Sequence, residues 1–175
     1  LDPRTGQMRW KRDRTPGALS YSTPLVVSSG GRALLVVNST QGIEAYDAAT
    51  GEPVWHVPGE HRFAVPMPVY HDGIVYATRG YRSSPALAIR LGGAGDVSSS
   101  HVVWRAPTGG PYVSSFVFYD GLLYMATELG IVTCVDPATG TPVWRERFGG
   151  IFSASPVAGD GKIYLVSETG ETVVL

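Results

Sequence analysis

The side chains able to ligate a metal, carry a proton or attack a substrate are few here: four histidines, one cysteine and scattered serines. His56, His61, His71 and His101 lack the H-x-H or H-x-x-x-H spacing that brings two imidazoles to one ion. His56 and His61, on either side of a Pro-Gly turn, could share a site; the others stand alone. His101 follows Ser98-Ser99-Ser100 and precedes Val102-Val103-Trp104, which places it at the start of a strand, facing a loop. No serine sits in a G-x-S-x-G elbow, and no Ser/His/Asp set can be assembled from spacing. Gly92-Gly93-Ala94-Gly95 lacks the lysine and the helix of a phosphate loop, so it reads as an insertion. A single cysteine, Cys134, excludes an internal disulfide, and its place among apolar neighbours predicts a buried, inert thiol. The expectation is therefore no catalytic residue and no metal site. Recognition is expected instead from a polar insertion with an aromatic in it, Arg79, Tyr81 and Arg82 beside Ser83 and Ser84, together with His101.

The elements that would carry such loops are written in a repeat. D-x-x-T-G-x-x-x-W occurs at Asp2–Trp10, Asp47–Trp55 and Asp136–Trp144. In each copy the Asp and Thr side chains can bond nearby amides, and Gly6, Gly51 or Gly140 accepts the left-handed backbone of a tight corner. Trp10, Trp55 and Trp144 then open a strand, and Trp104 does the same without the corner, its place being taken by Leu91–Asp96. The tryptophans are 45, 49 and 40 residues apart. Recurrence at equivalent places marks these residues as structural, since a catalytic residue would be unique. Between them lie Asp72-Gly73, Asp120-Gly121 and Asp160-Gly161, each flanked by apolar β-prone runs, the signature of a two-residue hairpin. Each period thus holds four short strands, about 20–28, 32–39, 42–47 and 53–57 in the first full copy, and four strands per period is the signature of a propeller blade.

Composition agrees. Gly 22 and Pro 13 make up a fifth of the 175 residues, as frequent turns require, and no apolar run is long enough for a membrane helix. A net charge of −1 gives no electrostatic case for nucleic acid or an anionic surface. The predicted fold is all-β, a β-propeller of about four four-stranded antiparallel blades. They cover about 18–59, 62–109, 112–150, and 152–175 completed by 1–13. Such a segment would be a partial ring or half of an eight-bladed one, part of a longer protein or closed by a second copy.

The D-x-x-T-G-x-x-x-W corners with their D-G hairpins resemble the tryptophan-docked repeats of the PQQ-like (pyrroloquinoline-quinone-type) β-propellers. The resemblance extends over nearly the whole chain. Gly95-Asp96-Val97 through Trp104 to Phe152–Pro156 looks like bacterial secreted PQQ-like repeat proteins, and such repeats also build a lipoprotein of the outer-membrane barrel-assembly machinery. It implies a periplasmic or secreted protein and a non-catalytic binding or scaffold module that recognises another protein through loops on a propeller face. Two other functions stay open: a fragment of a quinone-dependent dehydrogenase, and a carbohydrate-binding or sensing ectodomain. Quinone enzymes of this type stack PQQ between a tryptophan and a disulfide of adjacent cysteines, beside a calcium. With one cysteine and four tryptophans assigned to packing, neither PQQ nor calcium is expected here.

Overall fold

A computed structural model describes residues 1–14, 16–59, 62–81 and 85–175, so His61, Arg82, Ser83 and Ser84 lie outside the described residues. It contains sixteen strands and, among those residues, no helix of any kind, and so none long and apolar enough to cross a membrane. The first sheet is β1 (Leu25–Ser29), β2 (Arg32–Ser39), β3 (Gly42–Asp47) and β4 (Pro53–Pro58). The second is β5 (Val69–His71), β6 (Ile74–Thr78), β7 (Ala86–Arg90) and β9 (Val102–Ala106). Between β7 and β9 in sequence, β8 (Gly95–Asp96) adds to the outer edge of β4 in parallel. The third sheet is β10 (Val117–Tyr119), β11 (Leu122–Ala126), β12 (Ile131–Val135) and β13 (Pro142–Arg147). The fourth has three strands, β14 (Val157–Gly159), β15 (Lys162–Val166) and β16 (Thr172–Val174).

Consecutive strands pair antiparallel in each sheet, the meander of an up-and-down blade. Asp72, Asp120 and Asp160 have φ of 44°, 47° and 50°, and the glycines after them 77°, 76° and 72°, the two positive values a type I′ turn needs. A bulge recurs in three sheets, at Ala45/Tyr46, Ala88/Ile89 and Cys134/Val135, beside the residue that pairs with Trp55, Trp104 or Trp144. The bulge adds twist where the indole must turn towards the next sheet.

The core lies between sheets. One cluster joins Val36, Ile43, Trp55 and Val57 of the first sheet to Val75, Leu87 and Ile89 of the second. Another joins Tyr76 and Ala88 to Phe116, Leu123 and Val135, and a third joins Ala126 and Val132 to Phe152, Ile163 and Leu165. Four blades thus stack in chain order, each burying β-branched and aromatic side chains against the next. The structure departs from the sequence reading at both ends of this series. Residues 20–24 precede β1 as a loop, its Ser22 hydroxyl donating to the Pro66 carbonyl. Residues 1–14 form no strand and do not pair with the fourth sheet. They lie on the first, where Arg12 meets Glu52 and Arg14 meets Glu44.

Candidate functional site

In such a blade the β2–β3 type of turn and the linker to the next blade share one end of the sheet. A hydroxyl closes three of these turns. Ser39 accepts from the Gln41 amide, Thr127 from Ile131 and Ser167 from Glu171. Arg79 holds the same place in the second sheet, at the start of the longer turn. The sequence puts Arg79 on an exposed recognition loop; the structure buries it to 3% exposure, with its guanidinium donating to the Gly59 carbonyl. Its Nε has no partner among the described residues. Burial, helped by nearby Arg105 and opposed by Glu44, pulls its pKa down to about 10. Arg79 therefore rivets the first interblade linker and presents no charge to a ligand. It stays charged at neutral pH at a desolvation cost.

Above that rivet runs a row of aromatic rings. Tyr21 stands 6.0 Å from Phe63, Phe63 5.8 Å from Tyr81, and Tyr81 5.3 Å from Tyr112, centroid to centroid. The row crosses from the loop before β1 to the linker before β10. Three of its rings face solvent, Tyr21 at 57%, Phe63 at 41% and Tyr81 at 36% exposure. Phe63 has φ +56°, and its carbonyl oxygen would sit 2.3 Å from any Cβ added to Gly80. Gly80 is thus the residue that lets the linker and the long turn close on each other. Exposed Leu19, Leu129, Phe148 and Ile151 lie at the same end of their sheets. Tyr112 is anchored through its amide to Glu128. Tyr21, Phe63 and Tyr112 were not expected here, although a signal existed: Tyr21, Phe63, Tyr112 and Phe152 each precede the first strand of a sheet by four to six residues.

The remaining candidates are placed elsewhere. His101 packs under the insertion, where its Cε1 would be 2.7 Å from a Cβ on Gly93, and its Nδ1 is 2.8 Å from the Ser100 hydroxyl. It is spent on holding a loop. His71 stacks on Phe118 at 3.6 Å, and His56 is an exposed ladder partner of Glu44. At the opposite end, the corners share one hydrogen-bond pattern. Asp47 Oδ1 accepts from the Ala49 and Thr50 amides, Asp2 Oδ1 from Arg4 and Thr5, and Asp136 Oδ1 from Ala138. Trp10 donates to the Ala48 carbonyl at 3.0 Å and lies over Gly51; Trp104 donates to the Pro137 carbonyl at 2.8 Å and lies over Gly140. Trp55 is buried, and its Nε1 finds no acceptor among the described residues, because Leu91–Asp96 replaces the corner it would meet. Trp144 pairs across the ladder with Cys134, whose burial raises the thiol pKa.

Residues 1–92 and 90–175 each match the PQQ-like repeat family described as outer membrane protein assembly factor BamB. The chain belongs to this family. No curated protein matches the sequence. Among solved structures, BamB from Moraxella catarrhalis aligns with a TM-score of 0.67 at 18% identity, over 93% of this chain and 48% of that one. The computationally designed Ika4 protein aligns at 0.70 and 14% identity, over 97% of this chain and 98% of that one. A quinohemoprotein alcohol dehydrogenase, ADHIIG from Pseudomonas putida HK5, aligns at 0.54 and 15% identity, over 86% of this chain and 34% of that one. The chain thus spans about half the length of the Moraxella BamB, and these likenesses establish the propeller fold.

The last of these structures raises the question of PQQ and calcium. The one cysteine and three of the tryptophans of this chain are engaged in packing. Cys134 is fully buried and cannot pair with a second cysteine, and Trp10, Trp55 and Trp104 lie against neighbouring blades. Among the described residues no three His, Cys, Asp or Glu side chains converge as a metal site.

Proposed function

We propose that this chain is a non-catalytic recognition module of the outer-membrane-protein-assembly type, and that its loop end docks a partner polypeptide. The observation that carries this reading is the row of Tyr21, Phe63, Tyr81 and Tyr112, mounted on the blades with its first three rings open to solvent. Exposed aromatic rings supply contact area at little cost in side-chain entropy, and an exposed apolar patch is a feature of interaction sites. Membership of a family described as an assembly factor supports a protein partner and a site of action in the periplasm. The module uses neither PQQ nor calcium of its own.

The test places a photoreactive phenylalanine analogue at position 81, and at 143 on an exposed outer strand as control. Cross-linking in cells should capture a protein component of outer-membrane assembly from position 81 alone. Changing Tyr21 and Phe63 to serine should reduce that capture about tenfold. Cross-links confined to cell-wall glycan would move the reading to a carbohydrate-binding ectodomain. Stoichiometric binding of PQQ with calcium, accompanied by dye-linked alcohol oxidation, would overturn it.

A further inference from the structure

The layers between blades are built at one register, and the second layer is filled less completely than the first. In the first, Ile43 pairs with Val57 on the first sheet, both fully buried, and Leu87 of the second sheet joins the same cluster. The residues at those places in the next layer are the pair Ala86 and Ala106 of the second sheet and Thr133 of the third. The turn residue changes in step: Arg79, whose guanidinium fills the loop end of the first layer, is replaced by Thr127. Smaller side chains at equivalent places leave a cavity of about 360 Å³ between the second and third sheets. Both sheets have a neighbour on either side within the chain.

The walls of this cavity are chemically specific. Thr133 is 6% exposed; the ladder turns it, with Met125, towards the second sheet, and its hydroxyl has no hydrogen-bond partner among the described residues. Glu128 is half-buried at the loop end of the cavity. One of its oxygens accepts from the Tyr112 amide, and it joins no ion pair among the described residues. A hydroxyl and a carboxylate over an apolar floor of Met125, Ala106 and Val135 suit a donor-rich cation. Arg145 stands exposed on the rim. It follows Trp144 as Arg105 follows Trp104, and Arg105 lies near enough to Arg79 to help lower its pKa. A guanidinium beside a rim arginine is therefore already present in the first layer, and there it lacks the carboxylate that Glu128 supplies in the second.

We propose that the cavity between the second and third sheets receives the arginine side chain of a partner polypeptide, its guanidinium donating to Glu128 and Thr133. The proposal rests on the reading that the loop end docks a polypeptide. The two sites adjoin, because Glu128 holds the amide of Tyr112, and Tyr112 ends the row of rings. A segment lying along Tyr21, Phe63 and Tyr81 meets the cavity at the end of that row. There its arginine takes the place that the chain's own Arg79 takes in the layer before. A planar guanidinium can bond a carboxylate through two N–H groups while its aliphatic stem lies on the apolar floor, whereas an ammonium is a point charge.

N-acetyl-arginine-amide titrated into the chain should shift the methyl resonances of Ala106, Met125 and Thr133 and saturate with a Kd of about 1 mM. Its neutral citrulline analogue and N-acetyl-lysine-amide should bind at least about tenfold more weakly. Glu128→Gln keeps an acceptor for the Tyr112 amide and should weaken arginine binding about tenfold; it tests the site whether or not a core variant folds. Ala106→Val combined with Thr133→Leu restores the side chains of the first layer. It should abolish binding and leave the unfolding temperature at or above that of the wild type. The same double variant, carrying the photoreactive residue at 81, should lose protein capture about tenfold. Undiminished capture with no response to arginine would overturn the cavity site and leave docking at the loop end in place. Capture of no protein by the wild-type chain would overturn docking itself, and with it the polypeptide source of the arginine. Equal binding of the lysine or citrulline compound, tighter binding of N-acetyl-glutamate-amide, or arginine binding indifferent to both variants would each overturn the proposal.

Discussion

Asn38 is wholly buried where the first two blades meet, and its amide donates to the Pro66 carbonyl at 3.0 Å and the Thr78 carbonyl at 2.8 Å. Asn38→Ala removes two donors from a buried interface and should lower stability by about 1–3 kcal/mol, read by urea unfolding. An unchanged midpoint would mean that hydrophobic stacking alone joins the blades. A second residue-scale test concerns Asp2, whose carboxyl is held below its ordinary 3.8 first by Arg9 and then by the Arg4 amide. A carboxyl depressed in the folded state stabilises above its unfolded pKa, and that contribution is lost as pH falls through the folded value. Arg9→Ala should therefore move the Asp2 titration up towards 3.8, followed by carboxyl-carbon NMR. The roles legible in the sequence were those set by near neighbours, as when Asp47 caps amides two and three residues on. Arg79 was not legible, because its burial depends on Gly59 in a linker that only the packing of two blades brings to it.

At the scale of elements, the tight turns were readable because their chemistry is local. Asp-Gly pairs with two positive φ values make hairpins wherever they stand between apolar runs. The linkers were less readable, since no short-range pattern says that the rings at 21, 63, 81 and 112 will line up across blades. β8 escaped notice for a similar reason: two residues of parallel pairing with β4 leave no periodicity, though they let the insertion cover Trp55. The corner and indole together form the joint between blades, which makes the joint testable as a unit. Trp104→Ala should cost about 3–5 kcal/mol, the range for truncating a large aromatic packed between sheets. Gly140→Ala should cost a comparable amount, since its methyl would stand 2.6 Å from the Trp104 ring on a backbone with φ of 72°. The double variant should then fall well short of the sum, because either change alone opens the joint; thermal unfolding of the four proteins in this cycle measures it. Full additivity would show that the glycine and the indole act separately.

Among the described residues the blades form a stack in which three core clusters each join sequence-neighbouring blades. Stability in such a linear array is close to a sum over blades and adjacent interfaces, so an end unit with one interface opens first. The fourth sheet has three strands and one packed face, whereas the second is sandwiched between two clusters. Hydrogen exchange should accordingly be graded. Amides of β15 and β16 should exchange fastest, and those of β6 and β7, with Val75, Ala88 and Ile89 fully buried, should exchange slowest. A flat profile would instead mean that the four blades unfold as one cooperative unit, with the joints between them at least as strong as the sheets they connect.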